Sequence, residues 1–167
     1  YTNSSAVGLW LPIGESLSYE LVGCVFKGTQ AVIQDFGNAS GIISSCNFIR
    51  PAGSDPFGFG TFTIQGRLDI RDSAVSGGNG TVLMLAGSAD CKAVNFTFPD
   101  SLVWLGDSAT FEAWWYLDAT VLQPEGYPAA NASFEVRNRF GNILSQQRTE
   151  ANGRAQRLEA LQYRIEN

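Results

Sequence analysis

Ile43-Ser44-Ser45-Cys46-Asn47-Phe48 sets the frame for the whole chain. Its order, apolar-x-small-small-x-apolar, returns as Leu21-Val22-Gly23-Cys24-Val25-Phe26, as Ile70-Arg71-Asp72-Ser73-Ala74-Val75 and as Cys91-Lys92-Ala93-Val94-Asn95-Phe96. A weaker fifth copy runs from Phe111 to Tyr116. The fourth positions, Cys24, Cys46, Ser73 and Val94, are 22, 27 and 21 residues apart, and the Gly/Pro-rich insert Pro51 to Gly60 takes up the long step. Periods of about 20 to 30 residues point to stacked units rather than to one globular core. Alternation along the hexad sends positions one, four and six inward, so each unit buries few side chains and must rest on its neighbours.

Ahead of each hexad lies a second short apolar run: Leu9-Trp10-Leu11, Ala31-Val32-Ile33, Phe62-Thr63-Ile64, Val82 to Leu85 and Leu102 to Leu105. Gly, Ser, Asn and Asp join the runs, which is the punctuation short strands require. The connectors Gln65-Gly66-Arg67, Ala86-Gly87-Ser88 and Gly106-Asp107-Ser108 recur at matching places. The expected fold class is all-β, a short parallel β-helix (solenoid) of four to five coils over residues 1–113. A β-sandwich of similar short strands is the competing architecture.

At Trp114 the pattern changes. Trp114 to Val121 alternates as a longer strand, and Ala132 to Val136, Ile143 to Thr149 and part of Arg154 to Ile165 read as further strands. Between them lie Pro124 to Ala130, Asn138 to Asn142 and Ala151-Asn152-Gly153, the last a strong hairpin signal. Residues 114–167 are therefore expected to form a small Ig-like or transthyretin-like β-sandwich. Its four or five strands fall short of the roughly seven of an Ig-like sandwich, so an edge stays open or the natural chain continues.

Two resemblances follow from these motifs. The hexad repeated once per coil over Leu9 to Phe111 resembles the right-handed parallel β-helix of secreted and surface proteins. The strand and turn order from Trp114 to Asn167 resembles the carboxypeptidase-regulatory or transthyretin-like sandwich module. Together they are similar to an architecture of archaeal cell-surface glycoproteins, which implies an extracellular, cell-surface location.

Composition narrows the classes further. Charged residues are 16% of the chain, the net charge is -5 and His is absent, which argues against a nucleic-acid surface. No run of about 18 apolar residues is present to span a membrane. The opening Tyr1 reads as a mature, processed or partial chain. Five N-x-S/T sequons, at Asn3, Asn38, Asn79, Asn95 and Asn131, are candidate N-glycan sites. Asn38, Asn79 and Asn131 fall in turn-like contexts, whereas Asn95 takes position five of its hexad, outward on a strand.

Cys24 and Cys46 occupy equivalent positions of successive coils, where parallel side-chain vectors suit a disulfide poorly, so buried free thiols are expected. Cys91 sits at position one of its hexad without an evident mate. With no His and no C-x-x-C, neither a metal site nor a cofactor is expected.

Catalysis would need clustered carboxylates or a basic residue beside them. The nearest cluster is Asp69, Arg71 and Asp72, with Asp90 and Lys92 one coil on, and stacking is expected to bring Asp69 to Asp90 and Arg71 to Lys92, a solvated strand face. Trp10, Trp104, Trp114 and Trp115 are the candidates for a sugar-stacking platform, and of the adjacent pair one Trp is expected in the core.

The chain therefore reads as a non-enzymatic extracellular structural glycoprotein, a subunit of a surface filament, appendage or cell-surface layer. The alternative is a carbohydrate-binding or polysaccharide-processing β-helix protein. Val7, Leu9, Trp10 and Leu11 are the candidate assembly interface: Ala6 to Leu11 either completes the next subunit's open sheet, giving a head-to-tail homo-polymer, or forms the first coil of its own chain.

Overall fold

A computed structural model gives the fold and describes residues 5–6, 8–11, 17–28, 32–51, 61–77, 81–98 and 103–167. The chain is all-β, with no helix among the described residues and none long and apolar enough to cross a membrane. By internal packing it falls into two compact units, Tyr1–Trp114 with Leu161–Asn167, and Trp115–Ala160.

In the first unit the chain steps through three sheets in fixed rotation. The first circuit is β1 (Ser5–Ala6), β2 (Gly8–Leu11) and β3 (Ser18–Val22), and the second is β4 (Val25–Lys27), β5 (Val32–Asp35) and β6 (Ser40–Ser44). The third is β7 (Asn47–Arg50), β8 (Phe62–Ile64) and β9 (Arg67–Arg71), and the fourth is β10 (Ala74–Gly77), β11 (Leu83–Leu85) and β12 (Asp90–Val94). Then come β13 (Val103–Leu105) and β14 (Thr110–Leu117). The resulting sheets run β1-β4-β7-β10, β2-β5-β8-β11-β13 and β3-β6-β9-β12-β14, with parallel pairing between successive circuits.

In-register pairing turns the repeats into continuous rows of side chains. Leu21, Ile43, Ile70, Ala93 and Ala113 form one inward row, and Tyr19, Gly41, Leu68, Cys91 and Phe111 form the next. Ile33, Phe62, Leu83 and Val103 line the second sheet. Apart from Tyr19 and Val103, which are half-buried, these row members are buried, and most join one apolar cluster. Phe26 and Phe48 stack with ring centroids 4.7 Å apart and planes 4° from parallel. Rows of this kind remove apolar surface from water at about 25 cal/mol per Å², and no circuit does so alone.

A column of left-handed residues turns the chain at the hexad's third position. Gly23, Ser45, Asp72 and Asn95 have φ of 63°, 54°, 47° and 49°. Their amides donate to the next circuit, to the carbonyls of Ser44, Arg71, Val94 and Trp114, at 2.9 to 3.1 Å. This column corrects the sequence reading: Ile70 pairs with Ala93 rather than Cys91, so the fourth hexad is Ala93 to Phe98. Phe96 and not Val94 follows Cys24, Cys46 and Ser73, and Ala74 bridges Thr97.

The fifth copy shifts by the same two residues and begins at Ala113, which puts Trp115 at the turning position. A bulky side chain is strongly disfavoured at positive φ. Strand β14 accordingly runs straight on to Leu117, and the repeat ends there.

In the second unit, β15 (Ser133–Arg137) and β16 (Ile143–Arg148) pair antiparallel. The Asn138 side chain builds their turn, its Oδ1 accepting the amides of Phe140 and Asn142 at 2.9 and 3.0 Å. The Asn152-Gly153 turn forms as expected, with Glu150 and Arg154 joined at 2.8 Å and Gly153 at φ 76°. The strand after it does not pair with β16, however. β17 (Leu158–Glu166) flanks β14 instead, so β15 and β16 are the only sheet of the second unit among the described residues. Thr149 and Gly153 are the only buried residues there, and no apolar side chain of Trp115–Ala160 is buried.

Candidate attachment and assembly sites

Three of the five sequons lie on described residues, and the fold treats them differently. Asn38 is exposed on the bend after β5. That bend is fixed by Asp35, whose Oδ1 accepts the Gly37 amide at 2.9 Å. Asn131 is exposed at φ 57°, its amide bound to the Thr149 carbonyl, while its Oδ1 and carbonyl both accept from Arg148 at 3.2 Å. Among the described residues neither side-chain nitrogen is hydrogen-bonded, so both Nδ2 atoms are open to attachment of a sugar.

Asn95 differs. It sits at the turning position, not at position five of a strand, and its Nδ2 donates to Asp72 Oδ1 at 2.7 Å. The amide that a sugar would occupy ties two neighbouring turns together. Asn3 and Asn79 lie outside the described residues.

Leu9, Trp10 and Leu11 lie in β2, in register with Ile33, Gln34 and Asp35 of the same chain. The run is therefore the edge strand of the second sheet, the first-coil reading of the pair of alternatives. Val7 lies outside the described residues.

The outward face of the third sheet carries the expected charged cluster in a different arrangement. Asp69 opposes Lys92, and Arg67 opposes Asp90, with Arg67 Nε 4.0 Å from Asp90 Oδ2. Facing charges are thus opposite in sign, and the like-with-like pairing expected from the sequence fails because it carried the two-residue register error. Arg71 grips Asp69 with two bonds of 2.9 and 3.1 Å. Lys92 Nζ lies 4.6 Å above the Trp114 ring, whose Nε1 donates to Glu112 at 3.0 Å. Each of these pairs is partly solvated, a setting in which an ion pair contributes little, about 0 to 1 kcal/mol.

No shared tryptophan platform forms among the described side chains. Trp104 is exposed on β13, whereas Trp114 lies half-buried on β14, in a different sheet. Trp115 is exposed, so neither member of the adjacent pair enters the core. In the second unit a polar cleft of about 200 Å³ is lined by Asp118, Thr120, Arg154 and Arg157. Arg157 holds Asp118 with bonds of 2.8 and 2.9 Å and covers the Tyr116 ring. Those bonds, helped by the charges of Arg157 and Arg154, set the Asp118 carboxyl below its ordinary pKa.

The three cysteines are buried free thiols. Burial raises the thiol pKa of Cys46 and Cys91, which keeps them protonated and unreactive in the folded chain.

The sequence patterns missed a set of buried polar groups. Asp35 lies in the inward row with Ile64 and Leu85, with one carboxylate oxygen unpartnered among the described residues. Gln34 and Thr63 are neighbours in register, both buried, each with an oxygen unpartnered among the described residues. Tyr19 places its ring where a Gly41 side chain would stand, and its buried hydroxyl has no partner among the described residues. Burial, with Asp35 adding to it, pushes the Tyr19 phenol far up. Tyr19→Phe should therefore leave stability unchanged or raise it by about 1 kcal/mol, because it removes a desolvated hydroxyl and no hydrogen bond. Urea midpoints of the two proteins check this, and a clear loss in the variant would reveal a buried partner such as an internal water.

The chain matches no family model, no curated protein and no solved structure.

Proposed function

We propose that the first unit is a short parallel β-helix, the second a partial sandwich module, and the whole a non-enzymatic structural glycoprotein of the cell surface. The observation that carries this reading is the in-register parallel stack, in which each circuit offers the next a ready-made strand edge and apolar row. Such a stack extends along one direction, and copies meeting head to tail give a homo-polymer, a filament or layer. In this reading β2 contributes its far edge to the contact, because its near edge already pairs with β5. The open turns at Asn38 and Asn131 support N-linked glycans as the source of solubility in a chain with few charges.

Glycopeptide mass spectrometry of native material tests the proposal. Glycan is expected at Asn38 and Asn131, with Asn95 occupied far less because its amide is committed to Asp72. Unmodified Asn38 and Asn131 in a chain that stays monomeric and binds added oligosaccharide would replace this reading with that of a carbohydrate-binding protein.

A further inference from the structure

Stacking brings together two thiols that the sequence holds 22 residues apart. Cys24 and Cys46 are bracketed by the registered pairs Val22 with Ser44 and Val25 with Asn47, so they face each other across neighbouring circuits. Neighbouring strands lie about 4.8 Å apart, inside the roughly 4.4 to 6.8 Å of Cα separation that a disulfide spans. The Cys24 amide donates to Cys46 Sγ at 3.3 Å, which places that sulfur against the backbone of its partner cysteine.

In mid-strand, parallel side-chain vectors would oppose a bridge. These two cysteines are not in mid-strand. Each follows a left-handed residue, Gly23 or Ser45, and lies in the short break between strands, where the pleat no longer fixes the side-chain direction. The stacked rings of Phe26 and Phe48 beside them hold the two circuits in register. The contacts given up would be weak ones, from Cys46 Sγ to the carbonyls of Leu21 and Ser44 at 3.5 and 3.3 Å and from Cys24 Sγ to that of Val22 at 3.5 Å. Cys91 has no such mate, since its neighbours in the row are Leu68 and Phe111.

We propose that Cys24 and Cys46 are a cross-circuit disulfide site, closed when the chain folds in the presence of a disulfide donor. The thiolate of one cysteine attacks the donor's S–S bond, forming a mixed disulfide and expelling one donor thiolate. The second cysteine's thiolate then attacks the protein sulfur of that mixed disulfide, closing the bridge and releasing the second donor thiolate. Two protons and two electrons leave the protein, and the donor disulfide is reduced to two thiols. Because the folded stack buries both sulfurs, the exchange belongs to folding, before the row closes. The proposal depends on neither the cell-surface location nor the glycans.

The test is to refold the reduced, denatured full chain in a mixture of reduced and oxidised glutathione. Remaining thiols are then alkylated under denaturing conditions, and intact mass and linked peptides are read. The expected product carries one alkyl group, on Cys91, and a Cys24–Cys46 peptide pair lighter by two hydrogens. Cys91→Ser should carry none and Cys46→Ser two. The bridged chain should also show a cooperative urea transition at a higher midpoint than its reduced form. Three alkylated cysteines, a bridge that uses Cys91, or a bridged chain without a cooperative transition would each overturn the assignment.

Discussion

Gly66→Ala should unfold the first unit, or cost it more than about 4 kcal/mol, the range of the severest single substitutions. The cause is a connector two residues short. Only Gln65 and Gly66 join Ile64 to Arg67, whereas Phe36 to Ala39 and Ala86 to Ala89 span the equivalent gaps in the circuits on either side. The short path pulls Gly66 onto the backbone of Ala39, where a Cβ would lie 2.0 Å from the carbonyl oxygen and 2.7 Å from the nitrogen. That carbonyl cannot retreat without losing the Arg67 amide it accepts at 2.9 Å. Gly87→Ala is the control. Its φ of 61° brings strain of about 1 to 2 kcal/mol, yet a Cβ there meets nothing within 4 Å. Urea denaturation of the two variants should separate them widely, and equal midpoints would show that the close approach at Gly66 is wrong.

Cys46→Asp should be nearly as damaging, while Asn47→Asp one residue away should shift stability by no more than about 0.5 kcal/mol. Cys46 is fully buried, whereas Asn47 is exposed. A carboxylate at 46 would find the Cys24 amide, now 3.3 Å from the sulfur, and little else among buried rows to replace its water. Burial of a charge so poorly paired costs several kcal/mol. The folded pKa of that carboxyl would rise above its unfolded value, so stability would be lost as pH rises through it and partly restored in acid. Thermal melts at neutral and acid pH give the measurement. Equal, pH-independent melting of both variants would mean that the inward rows have been assigned to the wrong residues.

Much of the repeat was legible because burial and spacing coincide in its first three copies. Leu21, Cys24 and Phe26, then Ile43, Cys46 and Phe48, then Ile70, Ser73 and Val75 are all buried. The fourth copy misled because two frames satisfy the same apolar pattern, one starting at Cys91 and the other at Ala93. Backbone handedness decides between them: Asn95 aligns with Gly23, Ser45 and Asp72, residue types that tolerate positive φ, and that alignment alone would have corrected the charge pairing too. The candidate glycan sites at Asn38 and Asn131 could be read from turn chemistry, whereas the tie between Asn95 and Asp72 required the register. The partner of β17 was not legible. Leu161, Tyr163 and Ile165 alternate as any strand does, and nothing local states which open edge such a strand will join. Buried Asp35 is not marked by the sequence, because its neighbours Phe36-Gly37-Asn38 are turn-like, yet it closes β5.

The column of left-handed residues works as a counter. Each member of it sends the chain into another circuit, and Trp115 is the first residue in that column that cannot do so. Where the stack stops after β14 is therefore set not by apolar content but by how many times in succession one position tolerates a reversed backbone. Duplicating one period, Asp72 to Val94, would lengthen the stack by one circuit and leave the circuits away from the insertion unchanged, since each circuit touches only its neighbours. A lineage carrying such a chain could vary the reach of the protein in steps of one strand spacing, about 4.8 Å, with no redesign of its core.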